Sequence, residues 1–163
     1  MAAAAPAAAG PQAPGRNNLM HHRQFLAQVD DERLLKAIQD AERKTSGQVR
    51  VFVSHHKVID ALAAAERQFR RLAMTKTKGR NAVLIFIAPK SQTFSVFGDI
   101  AIHQKCGAAF WQTLRDEIVP HLKAGQYTVA LVHAITKAGA KLAEHFPPEG
   151  KPQNELPDNI SHD

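Results

Sequence analysis

Residues 48–88, QVRVFVSHHKVIDALAAAERQFRRLAMTKTKGRNAVLIFIA, decide the fold of this chain. The segment opens with valines that alternate from Val49 to Val53, and it closes with the apolar run AVLIFIA at 82–88. Alternation is typical of a strand with one buried face, whereas an unbroken apolar run is typical of a central strand covered on both faces. Between them, apolar residues recur at helical spacing over 58–74. This order of elements predicts a βαβ unit with a right-handed crossover and a parallel strand pair.

The flanking sequence extends this unit into an α/β fold, a three-layer α/β/α sandwich with a small mixed sheet. TFSVFGD at 93–99 predicts a third strand that forms an antiparallel hairpin with the second. Two helices should follow, at about 100–120 and at 127–145. Trp111 is expected at the edge of the first of these helices. Five residues form the apolar stripe of that helix: Ile102, Cys106, Phe110, Leu114 and Ile118.

The sequence outside this domain is of low complexity or polar. Residues 1–18 are rich in alanine and proline and have too few large apolar groups to fold, so they are predicted to be disordered. The domain is predicted over 19–147, and 148–163 is predicted to be a polar tail. A single cysteine excludes an intramolecular disulfide. No signal peptide is recognisable and no apolar run approaches the roughly 20 residues of a transmembrane helix, so we expect a cytoplasmic domain.

The net charge of +6 is concentrated in one part of the chain. Residues 48–81 hold eight basic and two acidic side chains, an excess of six. Arg67, Arg70 and Arg71 lie off the apolar face of the predicted helix 58–74. They indicate either a solvated helix face or contact with an acidic protein or lipid. Nucleic acid is disfavoured as a partner because few aromatic residues interleave with these charges and no nucleic-acid-binding motif is present.

Six blocks of sequence, in this order and at this spacing, resemble the TPM domain family: TSGQVRV at 45–51, AMTKTKGRNAVLIFIA at 73–88, FGDIAI at 97–102, FW at 110–111, VPHLKAGQY at 119–127 and HFP at 145–147. The resemblance covers roughly residues 30–160 and is strongest to the short bacterial branch without a transmembrane helix. It implies an α/β/α sandwich. Some members are acid phosphatases, others bind calcium or another divalent cation, and several assist the assembly or repair of membrane complexes. Bacterial members often have a LemA-type membrane protein as a neighbour, so the resemblance implies such a partner and leaves enzymatic activity open.

Asp99 is the leading candidate site residue. It follows the third predicted strand, at an end of the sheet where α/β proteins bind ligands, and it matches the aspartate of the family's glycine-aspartate block. The resemblance implies a calcium or magnesium ligand, or a catalytic carboxylate that orients water; the alternative is a helix cap. His103 follows one helical turn later, and Ala101 stands where the family usually has glycine. Glu42 and Asp116 are the further candidate metal ligands.

A second candidate site is the loop before the second predicted strand of the βαβ unit. Thr75, Thr77, Arg80 and Asn81 supply hydroxyl, guanidinium and amide groups that suit a phosphate or carboxylate ligand. The alternative is a well-bonded loop in which Arg80 pairs with a nearby acid.

The histidines give weaker evidence of a functional site than Asp99 and the loop around Arg80. Glu117 and His121 are spaced at i, i+4, which predicts either a surface pair or a contribution to a cation site. His55 and His56 end the predicted strand 48–55, where adjacent side chains point to opposite faces, so they are not predicted to be a zinc pair.

Three functional hypotheses therefore stand. The chain is a module that binds a divalent cation or a partner of a membrane-associated complex, a metal-dependent acid phosphatase, or an interaction module that acts through the basic helix 58–74.

Overall fold

A computed structural model describes residues 22–149 and 160–163, so the predicted N-terminal segment 1–18 lies outside the described residues. The sheet has four strands in the order β3-β2-β1-β4, and β1 pairs in parallel with both β2 and β4. β3 is antiparallel to β2. The fold class is therefore confirmed as α/β with a small mixed sheet. The strands are β1 (Gln48–Val53), β2 (Ala82–Ala88), β3 (Thr93–Gly98) and β4 (Ser161–His162).

Helices cover both faces of this sheet. The helices are α1 (His22–Ala27), α2 (Asp31–Glu42), α3 (Ala61–Arg71), α4 (Ile100–Lys123) and α5 (Tyr127–His145). The valines of β1 pack with α2, α4 and α5, whereas Phe52 of the same strand packs with α3 on the opposite face. This alternation produces the three predicted layers. In the described ranges, every helix is too short or too polar to cross a bilayer.

The packing of α4 differs from the predicted stripe. Gly107 adopts a left-handed backbone, with φ 74°, and divides α4 into two segments. This break changes which residues face the core: Trp111 is fully buried, while Phe110 and Cys106 are half-buried. The prediction that Trp111 lies at the helix edge is therefore wrong. Its indole packs so closely on β3 that a Cβ atom added to Gly98 would lie 2.6 Å from Cζ2.

The short strand β4 comes from the segment that was predicted to be a polar tail. Phe52 and Val53 of β1 align with Ser161 and His162 of β4. Arg50 secures the pairing, because its Nε and Nη2 donate to Ser161 Oγ at 2.9 and 2.6 Å. Ser161 and His162 therefore form the outer strand of the described sheet.

Candidate functional site

Asp99 lies between β3 and α4, and Arg80 reaches it from the loop before β2. The guanidinium donates from Nε to Oδ2 at 2.7 Å and from Nη2 to Oδ1 at 2.9 Å. Asp99 is completely buried, whereas 42% of the Arg80 side chain is exposed. The hydrogen bond to Asp99 raises the pKa of Arg80 above its usual value, against an opposing effect of burial. Both carboxylate oxygens are therefore engaged by a charge-assisted bidentate pair.

The backbone around this pair is also bonded to it. Asp99 caps α4, because its Oδ1 accepts the N–H of Ile100 at 2.8 Å. Arg80 adopts a left-handed backbone with φ 49°, and its carbonyl accepts the N–H of Ala101 at 3.0 Å. Ala101 lies half-buried in the first turn of α4. His103 is in the same turn and donates its N–H to the Asp99 carbonyl at 3.0 Å.

The other polar residues of the loop differ in burial. Thr75 is half-buried, whereas Thr77 and Asn81 are buried. Asn81 Nδ2 donates to Ser46 Oγ at 3.3 Å, and a Cβ atom added to Gly79 would lie 2.7 Å from that nitrogen. Within the described residues, Thr77 Oγ1 and Asn81 Oδ1 have no hydrogen-bond partner. A buried polar atom without a partner lowers the stability of the fold by roughly 1–3 kcal/mol. These two atoms therefore give the loop hydrogen-bonding capacity that a ligand could use.

The predicted metal ligands are placed apart. Glu42 Oε1 accepts the N–H of Val49 at 3.0 Å, and Asp116 is exposed on α4. Among residues 22–149 and 160–163, Asp99, Glu42 and Asp116 do not form a group close enough to hold a metal. The proposed ligand set therefore stays a prediction.

The end of the sheet occupied by Asp99 was assigned incorrectly. Ligands of α/β proteins bind at the carboxyl ends of parallel strands. β3 runs antiparallel to β2, so Asp99 returns to the amino end of β2 and donates its N–H to the Ala82 carbonyl at 2.9 Å. The carboxyl ends of β1, β2 and β4 lie at the opposite end of the sheet.

That opposite end contains a cluster of side chains which the sequence analysis did not predict. β1 ends at Val53, two residues earlier than predicted, so His55 and His56 lie in the following loop and their ring centroids are 3.9 Å apart. The prediction that they point to opposite faces is wrong. Asp163 joins them from the residue after β4: its Oδ1 lies 2.5 Å from His55 Nδ1 and its Oδ2 lies 3.6 Å from His56 Nε2.

Asp163 is held by several further hydrogen bonds. Its Oδ2 accepts from Ser54 Oγ at 2.8 Å, and its Oδ1 accepts from the backbone N–H of His55 at 2.6 Å. Burial raises the pKa of Asp163, but the hydrogen bonds from His55 and Ser54 outweigh this effect and hold the pKa below its usual value. Asp163 is therefore ionised at neutral pH.

The basic residues of α3 lie beside this cluster. Arg67, Arg70 and Arg71 are exposed, and Arg70 pairs with Glu66 at 2.8 Å. Arg67 and Arg71 line a groove of about 480 Å³ that reaches His56. The groove therefore carries cationic side chains near the carboxyl end of β1.

The predicted pair of Glu117 and His121 does not form. Glu117 Oε2 lies 2.7 Å from Nε2 of His133 on α5, and His121 Nδ1 bonds to Gln126 Oε1 at 2.9 Å. The hydrogen bond with His133 lowers the pKa of Glu117. This carboxylate links α4 to α5 instead.

Comparison with solved structures and with protein families supports the α/β fold described above. The chain is similar to the BA42 protein from the psychrophilic bacterium Bizionia argentinensis, an NMR structure, with 37% identity and a TM-score of 0.75. The match covers 83% of this chain and 95% of that chain. No curated protein sequence matches this chain. A sequence model of the TPM domain matches residues 19–141, and the chain therefore belongs to the TPM domain family.

Proposed function

We propose that this TPM domain is a cytoplasmic binding module that takes an oxyanion, the phosphate or carboxylate group of a ligand or partner, at Arg80. The bidentate pair with Asp99 carries the proposal, because a buried carboxylate fixes the guanidinium while 42% of the Arg80 side chain stays exposed. A guanidinium that is already oriented loses less conformational entropy when it binds a second oxyanion.

The charge of the loop supports an anionic ligand. Lys76, Lys78 and Arg80 carry three positive charges within five residues, and Asp99 offsets one of them. Like charges this close in sequence raise the local positive potential, which attracts an anion. The Thr77 hydroxyl, a donor without a partner among the described residues, adds hydrogen-bonding capacity.

The experiment is an NMR titration with inorganic phosphate and, separately, acetate. We expect saturable shifts at Arg80 and its loop, which Arg80→Gln should abolish and Arg80→Lys should weaken about tenfold through loss of the bidentate geometry. Arg43→Gln is the matched control, because Arg43 is an exposed arginine that pairs with an aspartate, Asp40, outside the loop and the groove. Equal binding by wild type and Arg80→Gln contradicts the proposal.

A divalent cation is the second candidate ligand, and the buried oxygens without partners favour it. Thr77 Oγ1, Asn81 Oδ1 and the Asp99 carboxylate are oxygen donors of the kind that calcium and magnesium prefer. Arg80 occupies both Asp99 oxygens and would have to be displaced. Glu42 and Asp116 are engaged or exposed elsewhere, so backbone carbonyls and water must complete the coordination. We expect weak binding, on the order of 10⁻⁴–10⁻³ M.

Arg80→Gln separates the two ligands. It removes the main donor to an oxyanion and also the competitor of a cation, so anion affinity should fall while calcium affinity rises. The measurement is the melting temperature of wild type and variant in calcium or magnesium. A melting temperature that stays constant to about 10 mM cation in both proteins contradicts the cation proposal.

A metal-dependent acid phosphatase is an extension of these two proposals, and the exposed part of Arg80 beside Asp99 favours it. A bound cation would displace Arg80 from Asp99 and polarise the phosphoryl oxygen, after which Arg80 would orient the phosphoryl group and the released Asp99 carboxylate would position water. The expected result is cation-dependent hydrolysis of a generic phosphomonoester that Asp99→Asn abolishes. Activity that survives in Asp99→Asn contradicts this role.

A partner-binding face on α3 is the third proposal. Arg67 and Arg71 line the groove together with Lys57, which suits an acidic segment of a membrane-associated protein, such as the LemA-type neighbour implied by the family resemblance. Charge reversal of Arg67, Arg70 and Arg71 to glutamate should abolish co-purification of that partner and leave the circular dichroism spectrum unchanged. Charge reversal of Lys123, exposed at the end of α4, is the control.

A further inference from the structure

The carboxyl ends of β1 and β4 bring together three side chains of types that commonly bind metals. His55 and His56 come from the loop after β1, and Asp163 follows β4. One potential ligand atom from each lies within 4.8 Å of the other two. Among the described residues, these three are the group of histidine, cysteine and carboxylate side chains whose ligand atoms lie this close together. It also lies at the end of parallel strands where α/β proteins bind ligands.

The donor set selects the class of metal. Two imidazole nitrogens and one carboxylate suit zinc, whereas calcium and magnesium prefer six or more oxygen ligands. Zinc takes the ionised carboxylate, which is the ordinary form of an aspartate at neutral pH. The cluster is therefore chemically distinct from the oxygen-rich loop around Asp99.

We propose that His55, His56 and Asp163 form a zinc-binding site at the carboxyl ends of β1 and β4. In a tetrahedral site with bonds of about 2.0–2.2 Å, ligand atoms lie roughly 3.4 Å apart. The 3.6 Å between His56 Nε2 and Asp163 Oδ2 already matches this spacing. His55 Nδ1 lies 2.5 Å from the other carboxylate oxygen, Oδ1, in a hydrogen bond that zinc would replace, so this imidazole must shift to reach a metal ion held at Oδ2.

The surrounding residues hold the ligands in place. Ser54 Oγ and the backbone N–H of His55 donate to Asp163, and these bonds orient its carboxylate. Arg50 bonds to Ser161 at 2.6 Å and fixes the strand that carries Asp163. Hydrogen-bonded support of this kind is typical of metal sites.

Three protein ligands leave one position of a tetrahedral zinc ion for water or for an external group. His56 and Asp163 also line the basic groove of α3. The zinc ion would therefore be accessible from this groove, and an anionic ligand bound there would be within reach of the metal.

The experiment uses the full chain without a histidine tag, freed of metal with a chelator and titrated with zinc sulfate. Calorimetry should give one tight site per chain. NMR should show the imidazole resonances of His55 and His56 shifting together, while those of His121 and His133 stay unchanged. The wild-type titration tests the proposal even if a variant fails to fold, and shifts at other histidines instead would overturn it.

Variants then identify the ligands. His55→Ala, His56→Ala and Asp163→Asn should each weaken zinc binding by more than about 100-fold, because loss of an outer-sphere partner alone costs 10–100-fold. The matched control is His121→Ala/His133→Ala, which removes two neighbouring histidines whose ring centroids are 6.2 Å apart near Glu117. Zinc binding that persists in the three ligand variants, or that is lost in the control, would overturn the proposal. Calcium and phosphate titrations of the same variants should match wild type, so this test is independent of the Arg80 site.

Discussion

The two ends of the sheet hold the same kind of contact in different surroundings. At the amino end of β2, Asp99 pairs with Arg80 and is completely buried. At the carboxyl ends of β1 and β4, Asp163 pairs with His55, and a quarter of its side chain is exposed. The first carboxylate is fixed to a permanent cation, whereas the second faces imidazoles that can exchange a proton for a metal.

The difference in burial assigns different roles to the two carboxylates. A buried carboxylate needs its guanidinium, because an unpaired charge in the interior is costly. A partly exposed carboxylate depends much less on its partner, since water screens it. We therefore expect the pair at the amino end to matter more for stability than the contact at the carboxyl end.

Loss of Arg80 should have the largest effect on stability. Arg80→Ala leaves the buried Asp99 carboxylate unpaired and should lower the free energy of unfolding by about 3 kcal/mol. Asp99→Asn keeps an oxygen to cap α4 and leaves only a half-exposed guanidinium, so it should cost about 1 kcal/mol. Urea denaturation measures both, and equal losses would show that Asp99 is not the dependent member of the pair.

Removal of residues 160–163 should have a smaller effect. The truncated chain loses the pairing of β4 with β1 and the Arg50–Ser161 hydrogen bonds, which should cost about 1–2 kcal/mol. The same urea denaturation gives the value. A loss as large as that of Arg80→Ala would mean that β4 supports the core and is not a peripheral strand.

Acid should remove the contribution of Asp163 to the free energy of unfolding. The pKa of Asp163 in the folded protein lies below its ordinary value of 3.8, so its stabilising effect is present above pH 3.8 and is lost as the pH falls through the folded-state pKa. The difference in unfolding free energy between wild type and Asp163→Asn should therefore be constant near pH 5 and shrink below about pH 4. Denaturation curves at pH 5, 4, 3 and 2 test this, and a difference that grows in acid contradicts it.

The smallest effect is expected at the helix surface. Glu117→Gln removes the charge from the contact with His133, where both side chains are about a third exposed, and should cost only a few tenths of a kcal/mol. This variant provides a baseline for histidine–carboxylate contacts in this protein. A loss greater than that of Asp163→Asn would show that the carboxyl end of the sheet is not specially organised.

The sequence predicts well those elements that a continuous hydrophobic pattern defines. The bounds of β2 and α5 agree with the predicted 82–88 and 127–145, because both elements bury a regular set of residues. The bounds of α3 were too wide, because Asp60 caps the helix through the N–H of Ala63 and sets its start at Ala61. Helix ends depend on such single hydrogen bonds, which hydrophobic spacing does not encode.

The candidate site could be predicted only in part. The sequence indicates both Arg80 and Asp99 as candidate site residues, and it allows Arg80 to pair with an acid as the alternative to binding a ligand. Their direct contact spans 19 residues and depends on the antiparallel course of β3. The cluster of His55, His56 and Asp163 could not be predicted, because the two-residue strand β4 is too short to show a hydrophobic period. The cluster also joins residues that are 108 positions apart in the sequence.

The lone arginine of β1 has a consequence for self-association. Among the described residues, β4 pairs with the last two residues of β1, and an unpaired edge on an apolar strand is in general a template for pairing with other chains. Arg50 breaks the run of valines and phenylalanine on this strand, and burial lowers its pKa without removing its charge. A charge at an edge strand opposes stacking of identical strands. Arg50 therefore places on β1 the kind of charge that opposes edge-to-edge association of strands.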